Sequence, residues 1–324
     1  MISISAAEVD KALAFGGLVE ALRDTFRQGV VQPVRHHHTI ERPDGAASTL
    51  LLMPAWNDFQ AAGTSQGGFV GIKVVTVSPD NNAIGKPAVM GLYLLLDGKT
   101  GEPRALIDGQ RLTQWRTACA SALAATYLAR DDASKLLVIG AGALNPFLAR
   151  AHAAVRPIRE IRIWNRTPAN AETAAAALRQ DGFNASATGD LAEAIGWADI
   201  VSSATISTEP LVLGAHLRPG VHVDLVGGFT PGMREADDAA IGKARVFVDT
   251  RAGATKEAGD IVQPIASGVL SRDAIVADLF ELTRGEKPGR GAADEITLFK
   301  SVGAALEDLA AGIAVYRAVA GGAS

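Results

Sequence analysis

The first third of the chain alternates short apolar runs with turn-forming segments. Asp44-Gly45 separates the first two runs, and this pair is typical of the tight connection in a hairpin. A second turn signal, residues 97–101, separates two later runs. The pattern predicts an antiparallel sheet. Its predicted strands cover residues 34–40, 48–53, 69–77, 89–96 and 104–107.

The pattern changes after residue 113. Residues 118–129 are rich in alanine and leucine and contain neither proline nor glycine, which is typical of a helix. Short apolar runs then alternate with helical stretches, and this alternation predicts a doubly wound parallel sheet. The final run, 302–320, predicts another helix. The strands predicted for the parallel sheet cover residues 136–139, 161–164, 200–203, 221–226 and 246–248.

The length and composition indicate a globular protein of two domains, or of one domain with a large appendage. The chain has 324 residues, of which 48% are hydrophobic and 20% are charged, and these values argue against disorder. Every window of 18 residues contains a charged side chain, so no membrane-spanning helix is predicted. The N-terminal segment carries Glu8 and Asp10 and lacks the basic start of a secretory signal. We therefore expect a cytoplasmic protein.

Charge and cysteine content exclude several classes of function. The net charge is −4, and no basic cluster is dense enough to follow a phosphate backbone, so no nucleic acid partner is expected. Cys119 is the single cysteine, which excludes an intramolecular disulfide, and its alanine neighbours favour a buried thiol. His36, His37 and His38 are adjacent, but alternate residues of a strand point to opposite faces, so no metal site is predicted.

A glycine-rich turn follows the first strand of the predicted parallel sheet. Gly140 and Gly142 stand where a dinucleotide-binding crossover needs a tight turn and a close approach of the backbone to a pyrophosphate. The helix that follows supplies amide donors at its N-terminus. Asn145 occupies the third position, where glycine or alanine is typical, so the fingerprint is incomplete. An ordinary glycine turn between a strand and a helix is the alternative interpretation.

The end of the second strand indicates which nicotinamide cofactor binds. A site for NAD places an aspartate or glutamate here to bind the ribose hydroxyl groups. This chain has Asn165, Arg166 and Thr167 instead, which together can neutralise and hydrogen-bond a 2′-phosphate. We therefore expect NADPH as the cofactor, with NADH bound more weakly. The alternative is that Thr167 caps the helix starting at Pro168 and that Arg166 is a solvated surface charge.

Taken in order, the motifs of this chain resemble those of the ornithine cyclodeaminase and mu-crystallin family, and specifically of its ketimine reductase members. The resemblance implies an α/β homodimer in which a discontinuous α+β domain, residues 1–112 and 302–324, binds substrate and the partner subunit. It also implies a Rossmann-type domain over residues 113–301 that binds the nicotinamide cofactor. The motifs are Gly71-Ile72-Lys73, Asp108-Gly109, Thr113-Gln114-Trp115-Arg116-Thr117-Ala118, Trp164-Asn165-Arg166-Thr167, Gly227-Gly228 with Pro231 and Glu235, Gly259-Asp260, and Phe299-Lys300-Ser301-Val302-Gly303.

The same resemblance implies the residues of the substrate site. It places a substrate carboxylate between Arg35, Lys73 and Arg116. The sequence agrees, because Lys73 lies between Ile72 and Val74 in an apolar strand, where a charge needs a partner. Arg116 lies near the expected start of the alanine-rich helix, where the helix dipole also favours an anion. For each cation the alternative is a side chain that extends to solvent or a structural ion pair.

Further cofactor contacts follow from the resemblance alone. They are Thr113, Arg116, Ala143, Leu144, Thr205, Val226 and Ser301. For Thr205, Val226 and Ser301 an ordinary loop or cap residue is an equal alternative.

Phe229 distinguishes two branches of this family. Cyclodeaminases have a catalytic aspartate at the matching position, and a phenylalanine cannot transfer protons. The resemblance therefore favours a reductase over a cyclodeaminase. Phe229 suits an apolar wall beside a substrate ring, and a simple packing role is the alternative.

We therefore expect NADPH-dependent reduction of cyclic imino acids: Δ1-pyrroline-2-carboxylate to L-proline, and Δ1-piperideine-2-carboxylate to L-pipecolate. The cations would fix the carboxylate so that the imine carbon faces the nicotinamide ring. Lys73 is the candidate for proton transfer. The alternatives are deamination of ornithine, reductive amination that yields alanine, and NADPH-dependent binding of a small ligand without catalysis.

Overall fold

The computed structural model describes residues 1–59 and 68–321. The chain divides into two compact units. Unit 1 comprises Met1–Arg116 and Ala305–Ser324, and unit 2 comprises Thr117–Ala304. Residues 322–324, which belong to the C-terminal segment expected in the substrate domain, lie outside the described residues.

The described residues form 15 strands and 11 α-helices. In chain order these are β1 (Ile2–Ile4), α1 (Ala6–Ala12), α2 (Phe15–Gln28), β2 (Val30–Val31), β3 (His36–Ile40), β4 (Ser48–Asn57), β5 (Phe69–Val77), β6 (Val89–Asp97), β7 (Pro103–Asp108), α3 (Gly109–Leu128), β8 (Lys135–Ile139), α4 (Asn145–Val155), β9 (Glu160–Trp164), α5 (Pro168–Gln180), β10 (Ala185–Ala187), α6 (Leu191–Trp197), β11 (Ile200–Ser203), β12 (His222–Leu225), α7 (Asp238–Lys243), β13 (Arg245–Val248), α8 (Arg251–Glu257), α9 (Gly259–Ser267), β14 (Ile275–Asp278), α10 (Leu279–Thr283), β15 (Thr297–Lys300) and α11 (Ala305–Gly321).

Unit 1 is built on a mostly antiparallel sheet of seven strands in the order β1-β7-β6-β5-β4-β2, with β3 paired to β4. The hairpin predicted around Asp44-Gly45 is confirmed, because β3 pairs with β4 in antiparallel register. The predicted strand 69–77 coincides with β5. The N-terminal β1, which sequence reasoning missed, adds to β7 in parallel register.

Helix α11 packs on this sheet against β4, β5 and β6. Two glycines allow the close approach around the buried ring of Tyr93. A Cβ atom at Gly71 of β5 would stand 1.8 Å from the phenol oxygen, and one at Gly312 of α11 would stand 2.5 Å from the ring. The C-terminal helix therefore fits directly over the middle strands of the sheet, next to Lys73.

Unit 2 is a parallel sheet of eight strands in the order β10-β9-β8-β11-β12-β15-β13-β14. Alternate residues of β8 enter two different apolar cores: Leu137 and Ile139 pack in one, and Leu136 and Val138 pack in the other. Because successive strand residues point to opposite faces, both faces of the sheet are covered. The predicted doubly wound parallel sheet is confirmed.

One expected feature was wrong. Helix α3 begins at Gly109, nine residues before the alanine-rich segment, and the carboxylate of Asp108 accepts a hydrogen bond from the amide of Arg111 at 2.7 Å. Arg116 therefore lies in the third turn of the helix, too far from its N-terminus for the dipole to favour an anion there.

The short strands β10, β14 and β15 were missed, because segments of three or four residues show too little periodicity to identify a strand. Helices α1 and α2 were also missed, although the buried residues of α2 recur at helical spacing: Leu18, Val19, Leu22 and Phe26. No helix among the described residues is long and apolar enough to cross a membrane.

Candidate active site

Two cations and two carboxylates meet in the interior of unit 1, and we call Lys73, Arg116, Glu307 and Asp308 the Lys73 cluster. Nζ of Lys73 lies 2.9 Å from Oδ2 of Asp308 and 3.0 Å from Oδ1. Nε of Arg116 donates to Oδ1 of Asp308 at 3.1 Å, and Nη1 donates to Oε2 of Glu307 at 2.7 Å. Strand β5, helix α3 and helix α11 each contribute to this cluster.

Burial governs the protonation of Lys73, which is only 3% exposed. Burial lowers the pKa of the ammonium to about 8, although the neighbouring Asp308 carboxylate opposes this shift. The positive charges of Arg116 and Arg35 lower the same pKa further. Lys73 is therefore charged at neutral pH but able to release its proton close to the physiological range.

The Lys73 cluster gives the two buried cations the structural ion pairs that the sequence left as an alternative. Their burial alone therefore does not require an external anion. The sequence signal for the missed partners was the pair Glu307-Asp308 inside an apolar helix, where two adjacent acids point toward the core.

The structure brings two more of the expected site residues to this cluster. The hydroxyl of Thr113, an expected cofactor contact, lies 3.5 Å from Nζ of Lys73 and itself donates to the carbonyl of Gly109. Arg35 is half-buried, and its charge reaches Lys73. Four of the predicted residues, Arg35, Lys73, Thr113 and Arg116, thus lie together in unit 1.

The other expected site residues lie in unit 2, where five neighbouring parallel strands end at one edge of the sheet. The strands are β9, β8, β11, β12 and β15 in spatial order. Carboxyl ends of parallel strands form the crevice in which open α/β sheets bind ligands. The residues that follow these strands are Asn165, Arg166 and Thr167 after β9; Gly140, Gly142, Ala143 and Leu144 after β8; Thr205 after β11; Val226 and Phe229 after β12; and Ser301 after β15.

The glycine-rich loop after β8 is held by Asn145. Gly140 has a φ of 108°, a conformation that favours glycine, and its amide donates to the carbonyl of Trp164 at 2.8 Å. The side chain of Asn145 is buried, accepts from the amide of Gly142 at 2.9 Å and donates to the carbonyl of Ile139 at 3.1 Å. Asn145 at the third fingerprint position therefore braces the loop.

The loop fits a dinucleotide pyrophosphate. Gly142 and Ala143 are exposed at the N-terminus of α4, and a Cβ atom at Gly142 would meet no atom closer than 3.4 Å. The space in front of the loop is therefore open to a phosphate, and the helix end presents amide donors to it.

The segment after β9 fits a 2′-phosphate. Arg166 and Thr167 are exposed. Thr167 stands at the N-cap position of α5, but within the described residues its hydroxyl makes no capping hydrogen bond. The cap alternative for this hydroxyl is therefore not realised. Asn165 donates to the carbonyl of Thr167 at 3.0 Å and fixes the turn.

The carboxylate of Glu235 binds the loops after β11 and β12 to each other. Glu235 belongs to a family motif named from the sequence, but no function was predicted for it. Oε1 of Glu235 accepts from the hydroxyl of Ser203 at 2.7 Å and from the amide and hydroxyl of Thr205 at 2.8 and 2.9 Å. Oε2 accepts from the amides of Gly227 and Gly228 at 2.7 and 3.3 Å. The loops after β11 and β12 are thereby held by a single fully buried side chain.

Glycine is required where these two loops meet. A Cβ atom at Gly227 would lie 1.9 Å from the carbonyl oxygen of Thr205, and one at Gly228 would lie 2.7 Å from Oδ2 of Asp260. The same Asp260 oxygen lies 3.1 Å from Nζ of Lys300, and Oδ1 of Asp260 accepts from the amide of Glu235 at 2.7 Å. We call Glu235, Asp260 and Lys300 the Glu235 cluster.

Ser301 is fixed by a further buried carboxylate. Oδ2 of Asp249 accepts from the amides of Val302 and Gly303, both at 2.7 Å, and lies 3.3 Å from the Ser301 hydroxyl. The amide of Ser301 donates to the carbonyl of Leu225. The chain after β15 is thus held beside the end of β12.

The exposure of Phe229 and of Cys119 bears on two further predictions. Phe229 is 44% exposed in the loop after β12, so the simple packing alternative does not apply within unit 2. Cys119 is buried as expected, and burial raises the pKa of its thiol, which makes it a poor nucleophile.

Comparison with known proteins covers the whole chain. The model of the ornithine cyclodeaminase/mu-crystallin family matches residues 4–323. A Δ1-pyrroline-2-carboxylate reductase of Paracoccus denitrificans is 39% identical over 323 residues, which are 98% of this chain and 97% of that protein. The Thermococcus litoralis Δ1-pyrroline-2-carboxylate reductase, solved with NADH and L-proline, has a TM-score of 0.92 at 32% identity and covers 100% of this chain and 98% of its own. An archaeal alanine dehydrogenase dimer with bound NAD has a TM-score of 0.88 at 28% identity, with coverage of 99% and 97%.

The role of Asn145 is testable without knowledge of the substrate. We expect Asn145→Ala to lower the free energy of unfolding by about 1–3 kcal/mol, because the amide of Gly142 and the carbonyl of Ile139 lose their partner. Binding of the reduced nicotinamide cofactor, measured by fluorescence titration, should weaken as the loop loosens. Asn170→Ala on the exposed side of α5 is the matched control. Unchanged urea unfolding of Asn145→Ala would show that the loop does not depend on this side chain.

Proposed function

The chain belongs to the ornithine cyclodeaminase/mu-crystallin family, and from this premise we propose that it is an oxidoreductase that reduces cyclic imino acids with NADPH. The relatives named Δ1-pyrroline-2-carboxylate reductase and the related structure with NADH and L-proline support reduction of a cyclic C=N bond. The specific reactions are Δ1-pyrroline-2-carboxylate to L-proline and Δ1-piperideine-2-carboxylate to L-pipecolate.

The observation that carries this proposal is the Lys73 cluster. Imine reduction needs one proton for the nitrogen, and a buried ammonium with a pKa of about 8 can donate it at neutral pH. The contact with Asp308 at 2.9 Å fixes the direction in which Nζ points. Lys73 is therefore the proposed proton donor.

Arg116 and Arg35 are the proposed partners of the substrate carboxylate, together with Lys73. Arg116 is held by Glu307 and Asp308, so its guanidinium is ordered before a ligand arrives. Burial and two like charges lower the pKa of Lys73, and a bound carboxylate offsets both effects. An anion is thus favoured next to these cations.

Unit 2 is the proposed cofactor domain. Gly140, Gly142, Ala143 and Leu144 would receive the pyrophosphate, and Asn165, Arg166 and Thr167 the 2′-phosphate. Thr205, Val226 and Ser301 would contact the nicotinamide half. When bound, NADPH supplies the hydride that the imine carbon accepts. NADH lacks the 2′-phosphate, so we propose that it binds more weakly.

The proposal also covers the oligomeric state of the protein and its lack of ornithine deaminase activity. We propose a homodimer, which is supported by the dimer in the related alanine dehydrogenase structure, with substrate and partner contacts in unit 1. Phe229 offers no carboxylate for the proton transfers that ammonia loss requires. Its exposed ring suits an apolar wall beside a substrate ring.

A substrate panel tests the reaction directly. We expect NADPH oxidation with five- and six-membered cyclic imino acids and no ammonia from ornithine in the presence of catalytic NAD or NADP. Pyruvate with ammonia tests the alanine dehydrogenase activity. Robust ammonia release from ornithine, or turnover confined to pyruvate with ammonia, would contradict the proposed function.

The cofactor preference depends on Arg166. Replacing Arg166 by alanine removes one charge-assisted contact to the 2′-phosphate, so KM for NADPH should rise roughly tenfold while KM for NADH stays nearly unchanged. Steady-state kinetics with both cofactors measures the two values. Equal or better kcat/KM with NADH in the unmodified protein would overturn the preference.

The pH profile depends on Lys73. Reductase kcat/KM should fall as pH rises through about 8, because the ammonium then loses the proton it must donate. Asp308→Asn removes the charge that raises this pKa, so the fall should move to lower pH. The titration of the substrate is the same for both enzymes and cannot cause the difference. Identical profiles for the two proteins would exclude Lys73 as the proton donor.

A further inference from the structure

The Glu235 cluster lies at the carboxyl ends of β11, β12 and β15, on the side of the sheet where one half of a dinucleotide would bind. In unit 2 the strands β9 and β10 lie on one side of β8, and β11, β12 and β15 lie on the other. Folds of this type bind one nucleotide half on each side of the first strand. Because the ribose-reading segment follows β9, the nicotinamide half belongs to the side of β11, β12 and β15. Glu235 ties the loops of that side.

The Glu235 cluster contains more carboxyl groups than amino groups. Three backbone amides donate to the carboxyl group of Glu235, those of Gly227 and Gly228 to Oε2 and that of Thr205 to Oε1, and such donors favour the ionised form. Burial and the neighbouring Asp260 raise the pKa of this carboxyl group, whereas Lys300 and the hydrogen bonds lower it. Oδ1 of Asp260 likewise accepts two backbone amides, those of Glu235 and Ala236. Nζ of Lys300 lies 3.1 Å from Oδ2 of Asp260 and 3.9 Å from Oε2 of Glu235, so two carboxyl groups face one amino group.

Solvent does not screen the ionisable groups of the Glu235 cluster, because all three side chains are fully buried. Fixed charges in a water-excluded site act strongly on charge that develops nearby.

We propose that the Glu235 cluster both positions the loops of the nicotinamide half and favours the oxidised, positively charged nicotinamide ring over the reduced one. This inference rests on the proposed function. In the reduction, a hydride leaves the dihydropyridine ring and forms the new C–H bond of the product, the imine nitrogen gains a proton, and the ring becomes a pyridinium cation. A fixed negative charge stabilises that cation and so assists hydride donation. Glu235, Asp260 and Lys300 are positioning residues in this sense, not catalytic ones.

Binding of the two cofactor forms tests the proposal without turnover. The dissociation constants of NADP⁺ and NADPH are measured by calorimetry or fluorescence for the unmodified protein, Glu235→Gln and Glu235→Asp. Glu235→Gln removes the charge, so the ratio of Kd for NADP⁺ to Kd for NADPH should rise roughly tenfold. Glu235→Asp keeps the carboxylate, but the shorter side chain holds the loops after β11 and β12 less well. Both dissociation constants should therefore rise, while their ratio stays within about twofold of the original.

Asp199→Asn is the matched control. Asp199 also accepts from two backbone amides, those of Ser134 and Lys135, and pairs with Arg130 at 3.0 Å. It precedes β11 and therefore lies at the opposite edge of the parallel sheet. The control should lose stability without a change in the ratio of the two dissociation constants.

Asp260→Asn provides a second removal of charge if Glu235→Gln does not fold, and it should shift the ratio in the same direction. A ratio that stays unchanged in the folded amide variants would overturn the proposal and leave the Glu235 cluster a purely structural tie. Failure of the unmodified protein to bind either cofactor form would overturn the proposed function as well. Normal imine reduction with an unchanged ratio in the amide variants would overturn this inference alone.

Discussion

The ammonium of Lys73 is stable inside unit 1 because the carboxylate of Asp308 lies 2.9 Å away. These two residues are 235 positions apart in the chain. The last helix must therefore return to β5, which explains why unit 1 is assembled from both ends of the sequence. Loss of Asp308 would leave two buried cations, Lys73 and Arg116, with one carboxylate fewer, and breaking such a buried pair typically costs about 3–5 kcal/mol.

Buried carboxylates also organise unit 2, with backbone amides as their main partners. Loops that follow parallel strands expose amide groups that no ladder satisfies. Glu235 and Asp249 accept these amides and fix the loops that carry Thr205 and Ser301. Asn145 does the same for the glycine-rich loop with a neutral side chain. The edge of the sheet is thereby ordered before any ligand binds, which reduces the entropy that binding must overcome.

The sequence predicted those elements whose pattern is local. Strand β5 and strand β11 have the predicted bounds. Strand β5 is rich in β-branched residues, and glycines and the turn-forming residues 78–82 flank it in the sequence. The start of α3 was not predicted, because the segment before the alanine-rich run mixes polar and apolar residues.

Contacts between residues far apart in the chain could not be predicted from the local sequence pattern. No periodicity indicates that β15, near the end of unit 2, inserts between β12 and β13. The partners of Lys73 and Arg116 were missed for the same reason, although the cations themselves were identified. The family, by contrast, followed from motifs spread over the chain, and the match over residues 4–323 confirms it.

The protonation of Lys73 can be measured directly by nuclear magnetic resonance of lysine labelled at Cε, with the signal assigned by comparison with Lys73→Arg. The free protein should show a pKa of about 8 for this ammonium. Addition of L-proline with NADP⁺ should raise that pKa, because a bound carboxylate favours the charged form. A pKa near the ordinary lysine value of about 10.4, or one that L-proline leaves unchanged, would contradict a buried proton donor that binds the substrate carboxylate.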